Sequence, residues 1–289
     1  MIKHGLLALL LLASAAGEAA AEGTRSVYSS ATINSPYDLI RGTMPRSQDY
    51  TRVPWFGEQL KYEVKWGVVM LGHATLGVPE VVDFAGQPAY HVVNTAKTIP
   101  FADKFYEVRD LNESWIHVGD LRSLGYSKKL REGNFFRDEW VLYDYHNKFW
   151  LSKQVNRDAT FHYSSGAIPG EVQDLLSSIF LLRPEPLKVG DEISFDVNTK
   201  KTWPLKVKVL RRQTVSVPAG RFRCVVLEPF LRDEGLFVQK GRKLQIWVTD
   251  DERHIPVLMK VDIILGKISA YLLEINGEQQ KQRKNKRRW

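Results

Sequence analysis

The feature that most restricts this chain is a period of two in its hydrophobicity, restarted many times between short turns. Leu60, Tyr62, Val64, Trp66 and Val68 alternate with Lys61, Glu63, Lys65 and Gly67. Successive side chains of a strand point to opposite faces, so such a run has one apolar face and one polar face. The pattern returns in Ala74 to Val78, Ala89 to Thr95, Glu139 to Tyr145 and Phe149 to Val155. It continues in Ile193 to Val197, Leu205 to Val209, Phe222 to Phe230, Leu244 to Val248 and Val257 to Ile263. The links between runs are too short for parallel crossovers, which need about a dozen residues or more, so roughly a dozen antiparallel strands are expected.

Two segments have a helical period instead. Val172, Leu175, Leu176 and Ile179 stand at i, i+3, i+4 and i+7 and stop before Pro184, which predicts an amphipathic helix of about three turns. Phe101, Phe105 and Val108 follow Pro100 at i, i+4 and i+7, which predicts a short helix with its apolar face against the sheet.

Residues 1–21 read as a cleavable secretory signal, with Lys3, an apolar stretch from Leu6 to Ala13 and small residues ending Ala19-Ala20-Ala21. The apolar core, roughly ten residues long, is too short for the ~20 of a spanning helix. Glu22, not a cysteine, stands first after the signal, so the expected product is a cleaved, unlipidated protein of a bacterial periplasm with no transmembrane segment. Residues 22–53 read as a polar linker or loosely held arm and 54–275 as a single β-rich domain, open to division into two half-barrel subdomains joined near 165–190. Residues 276–289 form a basic tail without periodicity. Cys224 is the only cysteine, so stability must come from burial rather than from a disulfide.

The formal charge of +8 at pH 7 points at first to an anionic partner. Without Lys281, Arg283, Lys284, Lys286, Arg287 and Arg288 of the tail, 35 basic residues face 33 acidic ones. Basicity is thus a property of the tail, which reads first as a disordered solubilising end and second as a contact for anionic envelope surfaces, and a nucleic-acid-binding face is not expected. The acidic run Asp250, Asp251 and Glu252, followed by Arg253 and His254, lies between two alternating strands and reads as a solvated hairpin loop. Neither a phosphate-cradling glycine loop nor a zinc motif occurs, so no cofactor or metal is expected. His91 sits in a mostly apolar strand and reads as a hydrogen-bonded core or wall histidine.

Four segments carry a resemblance: "FADKFYEVRDLNESWI", "YSKKLREGNF", "VQDLLSSIFLLR" and "KLQIWVTDDERHIPVLMKVDIILGKISAYL". Their order and spacing resemble the exported bacterial domain-of-unknown-function family 3108 (DUF3108), over about Pro54 to Glu274. The resemblance implies a mainly β fold, a large curved and incompletely closed antiparallel sheet with a few short helices, similar to periplasmic lipoprotein carriers. It supplies no known active residues.

A concave apolar sheet that two short helices fill incompletely favours a non-enzymatic envelope protein holding a lipid-like, lipopolysaccharide or glycan ligand, or a partner peptide. The candidate rim is Phe105, Tyr106, Arg109, Glu113 and Trp115, where an apolar element turns abruptly polar. Arg109 is expected either to grip an anionic headgroup or sugar acid or to pair with Asp110 or Glu113. The alternative is a glycan hydrolase. Its carboxylates would come from Asp110, Glu113, Glu132 and Glu139, about 5 to 10 Å apart across a cleft, with Trp66, Tyr106, Trp115 or Trp140 as sugar platforms. A structural scaffold without a ligand is the third reading.

Overall fold

Within each of two meanders, every alternating run pairs with the next along the chain, as short turns require. The computed structural model describes residues 33–45, 47, 50, 53–231, 243–263 and 266–277. The signal, the arm before Ile33 and the tail after Gly277 lie outside the described residues. The strands of the first meander are β1 (Ile40–Thr43), β2 (Gln59–Trp66), β3 (Val69–Phe84), β4 (Gln87–Thr98), β5 (Arg109–His117), β6 (Ser123–Glu132), β7 (Phe135–Asp144), β8 (Phe149–Val155) and β9 (Phe161–Ala167). Those of the second are β10 (Glu192–Asn198), β11 (Thr202–Val217), β12 (Gly220–Leu231), β13 (Leu244–Thr249), β14 (Pro256–Ile263) and β15 (Gly266–Ile275).

All belong to one antiparallel sheet in the order β10 to β15, then β2 to β9, with β1 beside β3. The two meanders are joined where β15 pairs with β2, Ile268 opposite Trp66 and Ile275 opposite Leu60. The sheet is therefore not closed, and its two ends are β9 and β10, consecutive in the sequence. Gln173 bridges Val197 in parallel and partly satisfies the β10 edge: its N–H donates to the Asp196 carbonyl and its carbonyl accepts from Asn198, both at 2.8 Å.

Helix α2 (Leu175–Leu182) lies in the link between those edges; α1 (Pro100–Asp103) precedes β5. Asp174 caps α2, accepting from Leu176 and Ser177 N–H, so the helix starts three residues later than its periodicity predicts and has two turns. Leu176 and Phe180 pack into the main core with Tyr62, Trp55 and Val257, while Leu175 and Leu182 face a second cluster of Leu205, Val207 and Leu227.

Three sequence expectations need correction. The helix placed over Phe101 to Val108 has only four residues, and Phe101 and Phe105 are 57% and 78% exposed, so α1 does not plug the sheet. Its i, i+4 pair meets edge-to-face in solvent at 5.6 Å instead, and of the three residues only Val108 is buried. Val68, read as the fifth inward residue of its run, is exposed in the turn between β2 and β3. Within the arm, residues 33–43 are held against the sheet: Ser35 caps a 3-10 turn at Pro36–Leu39, β1 pairs with β3, and Ile33 packs on Trp140 and Leu142.

Candidate functional site

Parity along β5 decides which candidate residues meet. Asp110, Asn112 and Ser114 face α2, for Ser114 Oγ donates to the capping carboxylate of Asp174 at 2.6 Å. Glu113 and Trp115 face the opposite way, under the arm. The five rim residues therefore fall into separate places. Phe105 and Tyr106 line a cleft beside the β6–β7 turn, Arg109 stands at its edge, and Glu113 and Trp115 lie across the sheet. A one-residue step on a strand reverses the face, which a continuous run of attractive residues hides.

Under the arm, His91 stacks on Trp115 at 5.5 Å between ring centroids. Its Nε2 is 3.0 Å from Glu113 Oε1 and its Nδ1 3.3 Å from Glu80 Oε1. Tyr37 of the arm donates to Glu113, and Thr43 to Glu80 at 2.9 Å. Burial pulls the His91 pKa down, but the two carboxylates more than offset it and the net direction is up. Burial raises the Glu113 pKa, while hydrogen bonds from His91 and Tyr37 lower it, and the net direction is down. Nothing in the sequence near His91 marks Glu80 or Tyr37 as its partners; only the β3–β4 register, Glu80 opposite His91, and the docked arm bring them together.

The cleft has a volume of about 550 Å³ and is lined by Asp103, Phe105, Tyr106, Glu107, Glu132, Gly133, Asn134 and Phe135. Gly133, at φ +55°, makes the turn, and a Cβ there would come within 3.0 Å of the Tyr106 ring. Arg109 does not pair with Asp110 or Glu113. Its guanidinium is held by Asp103 through two bonds of 3.1 and 2.6 Å, with Glu107 at 3.4 Å. Glu132 lines the cleft whereas Asp110 is buried with its Oδ1 on the Arg131 N–H at 2.8 Å, so the two do not flank an open cleft as the carboxylates of a glycan hydrolase do. Glu139 is not with them: Lys128 at 3.1 Å and Lys200 at 2.7 Å hold it. Burial works against its ionisation, but those lysines and Arg137 bring its pKa down to about 2.

On the other side of α2 is an apolar cavity of about 60 Å³. Leu175, Ile179 and Leu182 of the helix face Leu205, Val207, Leu227, Leu244, Ile246 and Val248 of the sheet across it, with Arg183 and His254 at its edge. Neither polar end is loose. Arg183, 1% exposed, donates to both oxygens of Glu58 at 2.6 and 3.0 Å and to the Arg253 carbonyl at 2.8 Å. His254 Nδ1 lies 2.7 Å from the Arg183 carbonyl, so it is the donor there. The loop from Asp250 to Ile255 is a hairpin connection as expected, yet its histidine turns inward beneath the helix end.

Burial pushes the Cys224 thiol up to about 12, unsuited to nucleophilic work. Trp66, a proposed sugar platform, packs beside the main core; Trp115 and Trp140 are buried under the arm. Among the described residues no cluster of three or more His, Cys, Asp and Glu is arranged to hold a metal, and no helix is long and apolar enough to cross a membrane.

The fold has relatives among solved structures. A β-barrel-like protein of domain-of-unknown-function family DUF1849 from Brucella abortus is 10% identical, with a TM-score of 0.50 over 75% of this chain and 96% of that one. A protein from Bacteroides fragilis with a YmcC-like fold is 9% identical, with a TM-score of 0.33 over 81% and 98% of the two chains. No curated protein matches the sequence. Residues 61–273 match the model of DUF3108, a protein family of unknown function, and the chain belongs to that family.

Proposed function

We propose that the protein is a non-enzymatic envelope protein that seats the apolar chain of an amphiphile between α2 and the concave face of β11–β13. One observation carries this reading: the 60 Å³ cavity is walled almost wholly by aliphatic side chains. An apolar void of this kind stays dry and takes up apolar molecules. As it stands it has room for the end of an acyl chain, so a longer chain must spread α2 and the strands. The signal-like residues 1–21 support delivery to the periplasm, where lipids, lipopolysaccharide and glycans are at hand; the basic residues after Gln280 suit contact with anionic surfaces there.

The test is displacement of the fluorescent fatty acid cis-parinaric acid, together with mass spectrometry of organic extracts of protein purified from the envelope. Val248→Phe, which fills the cavity, is expected to abolish probe binding while leaving the unfolding midpoint within a few degrees. Unchanged binding in the filled variant, or no acyl compound in the extracts and no binding by the parent, would overturn the assignment.

A further inference from the structure

The two rims of the sheet, where its hairpins turn, differ in what they expose. One rim has the β13–β14 loop with Asp250, Asp251 and Glu252, the β3–β4 turn at Ala85 and Gly86, and the β7–β8 turn at His146 and Asn147. These three turns expose no large apolar side chain. On the opposite rim Val68 and Val69, at the β2–β3 turn, are 94% and 44% exposed, and the next connection along, α1, carries the exposed Phe101 and Phe105. The two connections are neighbours: Gly72 of β3 stands opposite Thr98 of β4, and the Ile99 N–H donates to the Leu71 carbonyl at 2.9 Å. Large apolar side chains gathered in water forfeit the stabilisation that burial gives, and such a patch marks a contact with an apolar partner.

Charge accompanies the patch. Lys104 stands between the two phenylalanines in sequence and Lys97 near the end of β4, both exposed. Carboxylates of the same rim are held by other cations: Asp103 and Glu107 by Arg109, and Asp262 by Lys267 at 3.0 Å. The two lysines are thus left to meet anions from outside. The acyl cavity also reaches this rim. Leu244 of its wall opens β13 opposite Val261, at the β14–β15 end of the hairpin, and the Lys267 carbonyl at the start of β15 accepts the Gly67 N–H at 3.0 Å.

We propose that this rim docks on the surface of a phospholipid bilayer, with Val68, Phe101 and Phe105 entering the boundary between headgroups and acyl chains and Lys97 and Lys104 against lipid phosphates. Insertion is shallow, because the turns carry N–H and C=O groups that need water or headgroups as partners. The inference deepens the acyl-chain reading and rests on it for the cargo alone, naming the surface from which the chain passes into the cavity.

Flotation with vesicles of phosphatidylcholine, with and without phosphatidylglycerol, tests the docking, the basic tail being intact in every variant. The parent is expected to bind both and to bind the anionic vesicles several-fold more tightly. Phe101→Ser combined with Phe105→Ser is expected to weaken both at least about tenfold without moving the unfolding midpoint, since neither ring is buried. Val68→Ser, at the most exposed of the four positions, is expected to weaken both several-fold, and Lys104→Gln to weaken only the anionic case. A parent that does not float, or a phenylalanine pair variant that floats like the parent and so leaves the tail as the anchor, would overturn the proposal. Binding of cis-parinaric acid separates it from the acyl reading: either of those results with the probe still bound sinks the docking alone, whereas a parent that floats as expected but takes up no probe supports the docking and sinks the acyl reading alone.

Discussion

The interior beneath α2 has an aliphatic side and a charged side. Toward β11–β13 the helix meets Leu205, Val207, Leu227 and Val248, and the contact leaves a void. Toward β5–β7 its capping Asp174 is gripped by Ser114 and Ser123, each at 2.6 Å, beside Tyr126, Lys128 and Glu139. Aliphatic packing is non-directional, and a 60 Å³ void costs about 1 to 2 kcal/mol at roughly 24 cal/mol per Å³. A buried charge that loses its partner costs about 3 to 5 kcal/mol, so the charged side tolerates no such slack. The difference teaches that the polar side fixes where α2 sits, while the apolar side is free to change shape around a guest.

The largest expected effect tests that division directly. Glu139→Gln strips the buried counter-charge from Lys128 and is expected to lower stability by about 3 to 5 kcal/mol. Leu227→Ala, on the side that already has a void, is expected to cost about 2 to 4 kcal/mol. Denaturant midpoints that rank the leucine clearly above the glutamate would reverse the comparison.

A second effect belongs to the buried Asp110. The fold raises the Asp110 pKa from 3.8 to about 7, so between those values the folded state binds more protons than the unfolded chain. Its contribution is present below about pH 4 and is lost as the pH rises toward 7, by at most about 4 kcal/mol. Asp110→Asn is expected to flatten that slope. Midpoints measured from pH 4 to pH 8 check it; an equally steep slope in the variant would show that another group carries the titration.

The arm over His91 offers a weaker lever. His91 has a raised pKa in the fold, so the stability it lends is present below its ordinary value near 6.5 and declines as the pH climbs through its folded value. His91→Gln is expected to loosen the arm by about 1 kcal/mol, read as faster amide exchange at Ile40–Thr43 with the global midpoint nearly unchanged. Exchange rates equal to the parent's would detach the arm from this cluster.

The strand pattern was legible because runs such as Leu60 to Trp66 and Leu205 to Val209 obey one periodicity, and so was the open sheet once the resemblance was added. The candidate site was legible only in pieces. Glu113 and Trp115 stand three and five residues from Asp110 yet face away from it, because parity outweighs proximity on a strand. The partners of Asp110 and His91 lie 22 and 11 to 54 residues away, and only register brings Glu132, Glu80 and Tyr37 to them. The α1 segment misled because three apolar residues at helical spacing do not reveal that Thr98 and Asp103 stop the helix by closing around Arg109.

The smallest expected effect concerns the acidic hairpin, which by composition is the most arresting stretch of the sequence. Asp250 pairs with Arg212 at 3.1 Å across an exposed surface, and such pairs contribute about 0 to 1 kcal/mol. Asp251 accepts from Thr249 Oγ1 at 2.6 Å and from the Arg253 N–H at 3.1 Å, a local turn that an asparagine side-chain oxygen can reproduce. The double change Asp250→Asn and Asp251→Asn is therefore expected to shift stability by less than about 1 kcal/mol and to leave probe binding in the acyl cavity untouched. His254 is the one member of the loop with a reason to matter, since its ring ties the loop to the Arg183 carbonyl at the C-terminal end of α2. His254→Ala is expected to cost about 1 kcal/mol and to change probe affinity at the same time. If the two aspartates rather than the histidine prove costly, the hairpin holds the fold through its charge, and the division between a charged side and a pliable apolar side fails at its edge.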